Sequence, residues 1–188
     1  NGNIKAIINN SGGKADNTAI DISTGHIEVG NDPVDFSLKL TQPVSIMNFA
    51  GHAKGRLTLD NLKQFGVVPS GTILSGIMNA DAGFTGSNNA IRNEEYDKIT
   101  ITGNAAFTNV NYLSPSIREP LKIPAATLTF NNKTVALDNT SASYLSTNLS
   151  AKGNLTNLVG YLVSNQPLSG TVTANADNID LNRWMGTS

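Results

Sequence analysis

Residues 99–114, ITITGNAAFTNVNYLS, alternate apolar and polar side chains almost without a break. Ile99, Ile101, Ala105 and Phe107 share one parity, and Thr100, Thr102, Asn104 and Thr108 share the other. Successive side chains of an extended chain point to opposite faces, so this spacing predicts a strand with one apolar face. None of its side chains carries a reactive group. Most of the 188 residues are written in the same way. The fold is therefore constrained by what covers that face.

Strand signals dominate the rest of the chain. NIKAIIN (3–9), TAIDIST (18–24) and HIEVG (26–30) are short β-branched runs separated by polar, Gly-rich breaks. VDFSLKL (34–40) alternates cleanly between Pro33 and Pro43, which suit strand ends. Long extended stretches are expected over 44–59, where Gly51 and Gly55 suggest a bulge or bend, and over 71–86. YDKITITGNAAFTNV, AATLTF, KTVALDN, SYLSTNLSAKGNLTNL and SGTVTANADNIDL complete the pattern, with Asn131–Lys133 as a hairpin turn. Roughly eleven strands are predicted by these alternation and turn signals.

Helix is scarce. Asp60–Gly66 and Asp180–Gly186 each pair an Asp cap with a closing Gly, and 156–162 and 108–112 resemble them more loosely. Gly55, Gly103, Gly153 and Gly170 head these segments as a weak internal repeat, which predicts stacked units sharing one sheet.

Composition narrows the function classes. Charged residues make up 14% of the chain against a typical ~25%, and the net charge is −1. No basic footprint for nucleic acid and no Lys/Arg run for anionic lipid heads is present. The absence of Cys excludes disulfides and thiolate metal sites. No apolar run approaches the ~20 residues of a membrane-spanning helix. The chain opens at Asn1 without a signal-peptide pattern, which reads as an excised or processed piece.

No catalytic constellation stands out. His26 and His52 lack any metal-ligand spacing and read as surface or strand-flanking residues. Glu94, Glu95 and Asp97 could form a glycosidase-type pair, but a solvated turn is the plainer reading. Asp81–Asn89 is Gly-rich but lacks a phosphate-binding context. Phe107, Phe130, Tyr112 and Trp184 sit at apolar-parity or helix-face positions and read as packing residues rather than carbohydrate platforms. No enzyme activity, cofactor or metal is expected.

An apolar sheet face must be buried. A second sheet, the same sheet curling over, or a guest acyl chain would each do so. Ala80, Ala82, Ala105, Ala126, Ala151, Ala174 and Ala176 on the inner parity leave room that larger residues would fill, which fits a curled sheet. The expected fold is all-β: one long, twisted antiparallel sheet curled into a groove or flattened half-barrel. Two or three short helices plug an end or edge of it, and residues 1–188 form one domain. The expected lining is Ile99, Ile101, Phe107, Leu128, Phe130, Val135, Leu137, Leu149, Leu155 and Val172. An open lipid groove and a closed core read alike at this level. The competing class is an extracellular adhesin or glycan-binding module on a closed β-sandwich, and a third is a structural spacer with a dry core.

From Gly55 to Met185 the chain resembles the C-terminal region of AsmA-like proteins in their Bacteroides-type form. The resemblance rests on ordered segments: GRLTLDNLKQFGVVPSGTILSGIMNADAGFTG, YDKITITGNAAFTNVNYLSPS, IPAATLTFNNKTVALDN, LSAKGNLTNLVGYL and LSGTVTANADNIDLNRWM. It implies a periplasmic segment of a Gram-negative envelope protein whose full-length form is anchored in the inner membrane by an N-terminal helix. It further implies kinship with repeating β-groove lipid-transfer proteins, and a role in outer-membrane assembly and phospholipid transport or homeostasis. Lipid acyl chains would be the partners, with no catalytic residues to carry over.

Overall fold

The structure is a computed structural model that describes residues 2–66, 68–164 and 166–186. Its described residues form one ten-stranded antiparallel sheet in which every strand pairs with the next in sequence. The strands are β1 (Gly2–Asn10), β2 (Thr18–Val29), β3 (Asp32–Thr41), β4 (Asn48–Thr58), β5 (Ile73–Ser87), β6 (Thr100–Leu113), β7 (Leu121–Phe130), β8 (Thr134–Tyr144), β9 (Thr147–Thr156) and β10 (Ser169–Asp177). Three short α-helices punctuate this meander: α1 (Asn88–Arg92), α2 (Leu158–Ser164) and α3 (Leu181–Met185). Three 3₁₀ turns lie at Ala15–Asn17, Leu59–Phe65 and Tyr96–Lys98.

The alternating pattern gives the strands as expected, with local differences. The two runs at 18–24 and 26–30 are one strand, β2, with an irregularity in its pairing to β3 between Ile22 and Gly25. Residues 42–47 form a turn before β4, because Gln42 and Met47 both take positive φ and the Met47 N–H donates to the Gln42 carbonyl. Residues 108–112, expected as a helical turn, lie inside β6. Their Thr and Asn side chains are compatible with a helix cap, but strand pairing on both sides satisfies the backbone better than one isolated turn. Asn109 there has φ 52° and faces the break in β5 at Gly76, whose φ of 119° only glycine adopts without strain.

The glycine repeat is only partly a repeat of structure. A short helix or 3₁₀ segment follows β4, β9 and β10, but Gly55, Gly103 and Gly153 sit within strands rather than opening them. A Cβ at Gly103 would lie 2.8 Å from the Ala82 Cα, so the glycine permits close approach of β5 and β6.

Two caps appear where the sequence places them. Asp180 accepts hydrogen bonds from the Asn182 and Arg183 N–H groups, and Gly186 closes α3 in the left-handed conformation. The segment at 59–65 ends on left-handed Gly66, but it starts from Thr58 and Asp60 is not its cap. The Asn131–Lys133 turn forms as expected, with Asn131 Oδ1 accepting from the Lys133 and Thr134 N–H groups at 2.9 and 3.0 Å.

No second sheet faces the first among the described residues. The closed sandwich on which the glycan-binding alternative depends is therefore not this architecture. Burial instead comes from curling and from plugs at the two ends of the strands. At one end, Ala90 of α1, Ile99 and Val159 of α2 form a buried cluster, flanked by Ile91, Tyr96 and Ile101. The Tyr96 and Ser164 hydroxyls are hydrogen-bonded. At the other end, α3 reaches back to the β6–β7 connection: Arg183 pairs with Glu119 at 2.7 Å, and Arg118 donates to the Arg183 carbonyl at 3.3 Å. Both plugs join segments distant along the sheet, so the sheet bends toward the face they occupy.

Candidate functional site: an apolar trough

Directly opposed residues of antiparallel strands project from the same face. The register therefore traces one row after another across the sheet. Ile22, Leu38, Gly51, Phe84, Ile101 and, diagonally, Phe130 follow one another on a single face. Ala53, Ala82, Gly103, Phe130, Val135, Leu155 and Gly170 form a second row. Gly55, Ala80, Ala105, Leu128, Leu137, Gly153 and Val172 form a third. The face is apolar from β1, with Ile4, Ala6 and Ile8, to β10, with Val172, Ala174 and Ala176.

This face is mostly half-buried along β9, which reads alternately in and out throughout, and along β7, which alternates on either side of a break at Pro124–Ala125. Among the described residues no second sheet covers it, so the shielding comes from curvature and from neighbouring side chains. Large and small residues interleave. A Cβ on Gly51 would lie 2.5 Å from the Phe84 ring, and one on Gly86 would lie 2.9 Å from the Phe49 ring. Phenylalanine thus covers the bare backbone of its cross-strand glycine, a device that pins register in curved sheets. Phe49 and Phe84 also pack together at 6.2 Å between ring centroids. The alanine rows leave a trough between these aromatic groups.

The expected lining residues fall as follows. Ile101, Phe107, Leu128, Phe130, Val135, Leu137, Leu149, Leu155 and Val172 all lie on the apolar face by register. Val135 is buried there and Val172 on the edge strand is 47% exposed. Ile99 precedes β6 and belongs to the end plug, buried against Ala90 and Val159. The seven alanines named from parity share the face too. Of the aromatic residues, Trp184 docks on the apolar side: its indole N–H donates to Thr147 Oγ1 at 2.8 Å, and its ring meets Tyr144 edge-on.

The opposite face carries the polar pairs. One row runs His26–Asp35–Lys54–Asp81–Asn104 from β2 to β6 and sets basic side chains against acidic ones as far as Asp81. His26 Nδ1 lies 2.7 Å from Asp35, His52 Nε2 2.6 Å from Asp81, and Lys54 Nζ 3.3 Å from Asp81. The hydrogen bond from His52, aided by Lys54, holds the Asp81 carboxyl below its ordinary range. An open depression of ≈ 820 Å³ lies where these residues meet the β2 irregularity at Ser23–Gly25. These pairs were not legible in the sequence, because 9 and 29 residues separate the partners and only strand register joins them.

Asp32, at the start of β3, is 2% exposed. It accepts from the Thr58 N–H at 2.5 Å and from Asn61 Nδ2 at 3.2 Å, and it pairs with the Arg56 guanidinium. The Thr58 N–H foremost lowers its pKa. This hub ties the Leu59–Phe65 turn to the β2–β3 hairpin, where Asn61 also donates to the Val29 carbonyl at 3.3 Å. Of the suspected carboxylates, Glu95 is taken up by Lys98 at 2.8 Å. Among the described residues no group of three His, Cys, Asp or Glu could hold a metal ion, and no helix is long and apolar enough to cross a membrane.

The fold and site define a class: a single curled antiparallel sheet with one continuous apolar face and plugged strand ends. No protein-family model matches the chain, and no curated protein or solved structure is significantly similar to it.

Proposed function

We propose that this chain is a non-enzymatic β-groove segment that holds or conducts lipid acyl chains. We place it in the periplasm, in an AsmA-like envelope protein whose full-length form is anchored in the inner membrane and serves outer-membrane biogenesis and phospholipid homeostasis. The observation that carries the reading is the apolar face. It runs across ten paired strands, mixes Phe with Gly and Ala along its rows, and lies under no second sheet among the described residues. Apolar surface left without a protein cover is stabilised by any apolar guest, at roughly 25 cal/mol per Å² removed from water. A ten-residue strand such as β7 spans ~33 Å at ~3.3 Å per residue. One leaflet of hydrocarbon is ~15 Å deep, half of a ~30 Å core, so acyl chains fit within the strand length.

The test is native mass spectrometry of protein purified from cells without detergent, followed by solvent extraction. The expected result is co-purified phospholipid that is lost from a Leu128→Asp/Leu137→Asp variant and kept in a Thr127→Asp/Thr129→Asp control on the other face. Repeated absence of lipid, with no binding of an apolar dye by the purified protein, would overturn it.

A further inference from the structure

We propose that the polar face of β2–β6 is a second binding site, for an extended, neutral, β-1,4-linked glycan strand lying across the strands. Two open depressions, of ≈ 820 and ≈ 390 Å³, meet on this face and share Asp35 and Lys54 in their lining. Together they form one shallow groove along the row His26–Asp35–Lys54–Asp81–Asn104. The groove is on the side of the sheet away from the apolar trough, and it holds whether or not lipid occupies that trough.

The groove offers hydrogen bonds in fixed positions. Asp81 Oδ1 is held by His52 Nε2 at 2.6 Å, and Oδ2 by Lys54 Nζ at 3.3 Å. Each carboxylate oxygen keeps a further lone pair for a hydroxyl. His26 orients Asp35 in the same way at 2.7 Å. Asn104, opposite Asp81, and Asn79, opposite Arg56, line the groove with amides that have no partner among the described residues. An amide donates and accepts, as does each hydroxyl of a sugar, so an amide beside an oriented carboxylate suits a pair of neighbouring hydroxyls. Ala106, opposite Asn79, is small and keeps the floor low.

Charge narrows the ligand. Lys54 stands against Asp81, Arg56 against buried Asp32, and His26 against Asp35. These cations are matched by anions at ion-pair distance, so the row presents no clustered positive field for a phosphate or a nucleic acid. An uncharged polyol needs none.

Spacing selects an extended chain. Neighbouring strands are ~4.8 Å apart, about the advance of one pyranose ring in an extended β-1,4-linked chain. From His26 to Asn104 the row crosses the intervals between β2 and β6, ~19 Å in all at that spacing, which matches a tetrasaccharide. No member of the row is aromatic, so binding rests on hydrogen bonds, and a dissociation constant of about millimolar order is expected.

Titration of delipidated, ¹⁵N-labelled protein with cellotetraose, followed by amide chemical shifts, tests it. Shifts are expected around Asp35, Lys54, Asp81 and Asn104. Asn79→Ala/Asn104→Ala should weaken binding at least about five-fold. Asn154→Ala, on the same face in β9, should leave it unchanged. The β-1,4-linked tetramannuronate, with a carboxylate on every ring, should bind more weakly than cellotetraose. No shift up to the solubility limit, shifts gathered on the apolar face or scattered over the molecule, a double variant that binds as well as the parent, or tighter binding of tetramannuronate would each overturn the proposal. Circular dichroism confirms that the double variant keeps its strands, and delipidated protein keeps this outcome separate from the lipid test.

Discussion

The indole N–H of Trp184 donates to the hydroxyl of Thr147 at 2.8 Å, and Thr147 is fully buried. That bond, with the edge-on contact of Trp184 on Tyr144 at 5.6 Å, fastens α3 over the β8–β9 turn. Trp184→Ala removes both and leaves the Thr147 hydroxyl short of a partner. The expected loss is about 2–4 kcal/mol, from one hydrogen bond, one aromatic pair and part of a large side chain's burial. Thr147→Val, which deletes only the acceptor, should cost about 1 kcal/mol. Urea unfolding followed by far-ultraviolet circular dichroism measures both.

Val159 and Ile99 close the opposite end, where α2 meets the segment between β5 and β6. Val159→Ala should destabilise by about 1–2 kcal/mol at ~0.8 kcal/mol per buried methylene. The plug joins distant segments, so the loss should also be local. Hydrogen exchange should accelerate over 88–99 and 158–164 while the amides of β3 and β4 keep their protection. Uniform acceleration would show that the plug does not open separately.

Asp32 sets an acid limit. Its folded pKa lies below the ordinary 3.8, chiefly through the Thr58 N–H and then through Arg56 and Asn61. A carboxyl with a depressed folded value contributes stability fully above its unfolded pKa and loses it as pH falls through the folded one. Asp16, held by Ser45, and Asp81, held by His52, have the same sign. The unfolding midpoint should therefore be steady from neutral pH down to about 5 and fall below about 4. Asp32→Asn should lower stability at neutral pH and flatten that acid limb, as measured by urea titration at successive pH values.

Gly76 and the Asn109–Val110 stretch mark where β5 and β6 change register. Gly76→Ala meets two obstacles: φ is 119°, and the new Cβ would lie 2.8 Å from the Val110 Cα. The expected cost is about 1–3 kcal/mol. Gly83→Ala serves as the control, since its Cβ would find only ordinary contacts at 3.7 Å and beyond. Thermal unfolding of the pair should separate them by several degrees.

The sequence alone determined the period of the chain, and with it the strands and their apolar parity. Ile101, Phe107, Leu128 and Phe130 could be placed on one face because strand side chains alternate strictly, whatever their neighbours are. The caps at Asp180, Gly186 and Gly66 were legible for the same reason: they act within a few residues. Cross-strand partners were not legible. His26 with Asp35, His52 with Asp81, and Asp32 with Arg56 meet only once hairpin lengths and bulges have fixed the register. Only the tertiary structure decided that the apolar face curls rather than meeting a second sheet. Packing between distant elements put Ile99 in a closed plug against Ala90 and Val159, and the strand order left Val172 exposed on the last strand, because neither is fixed by local spacing.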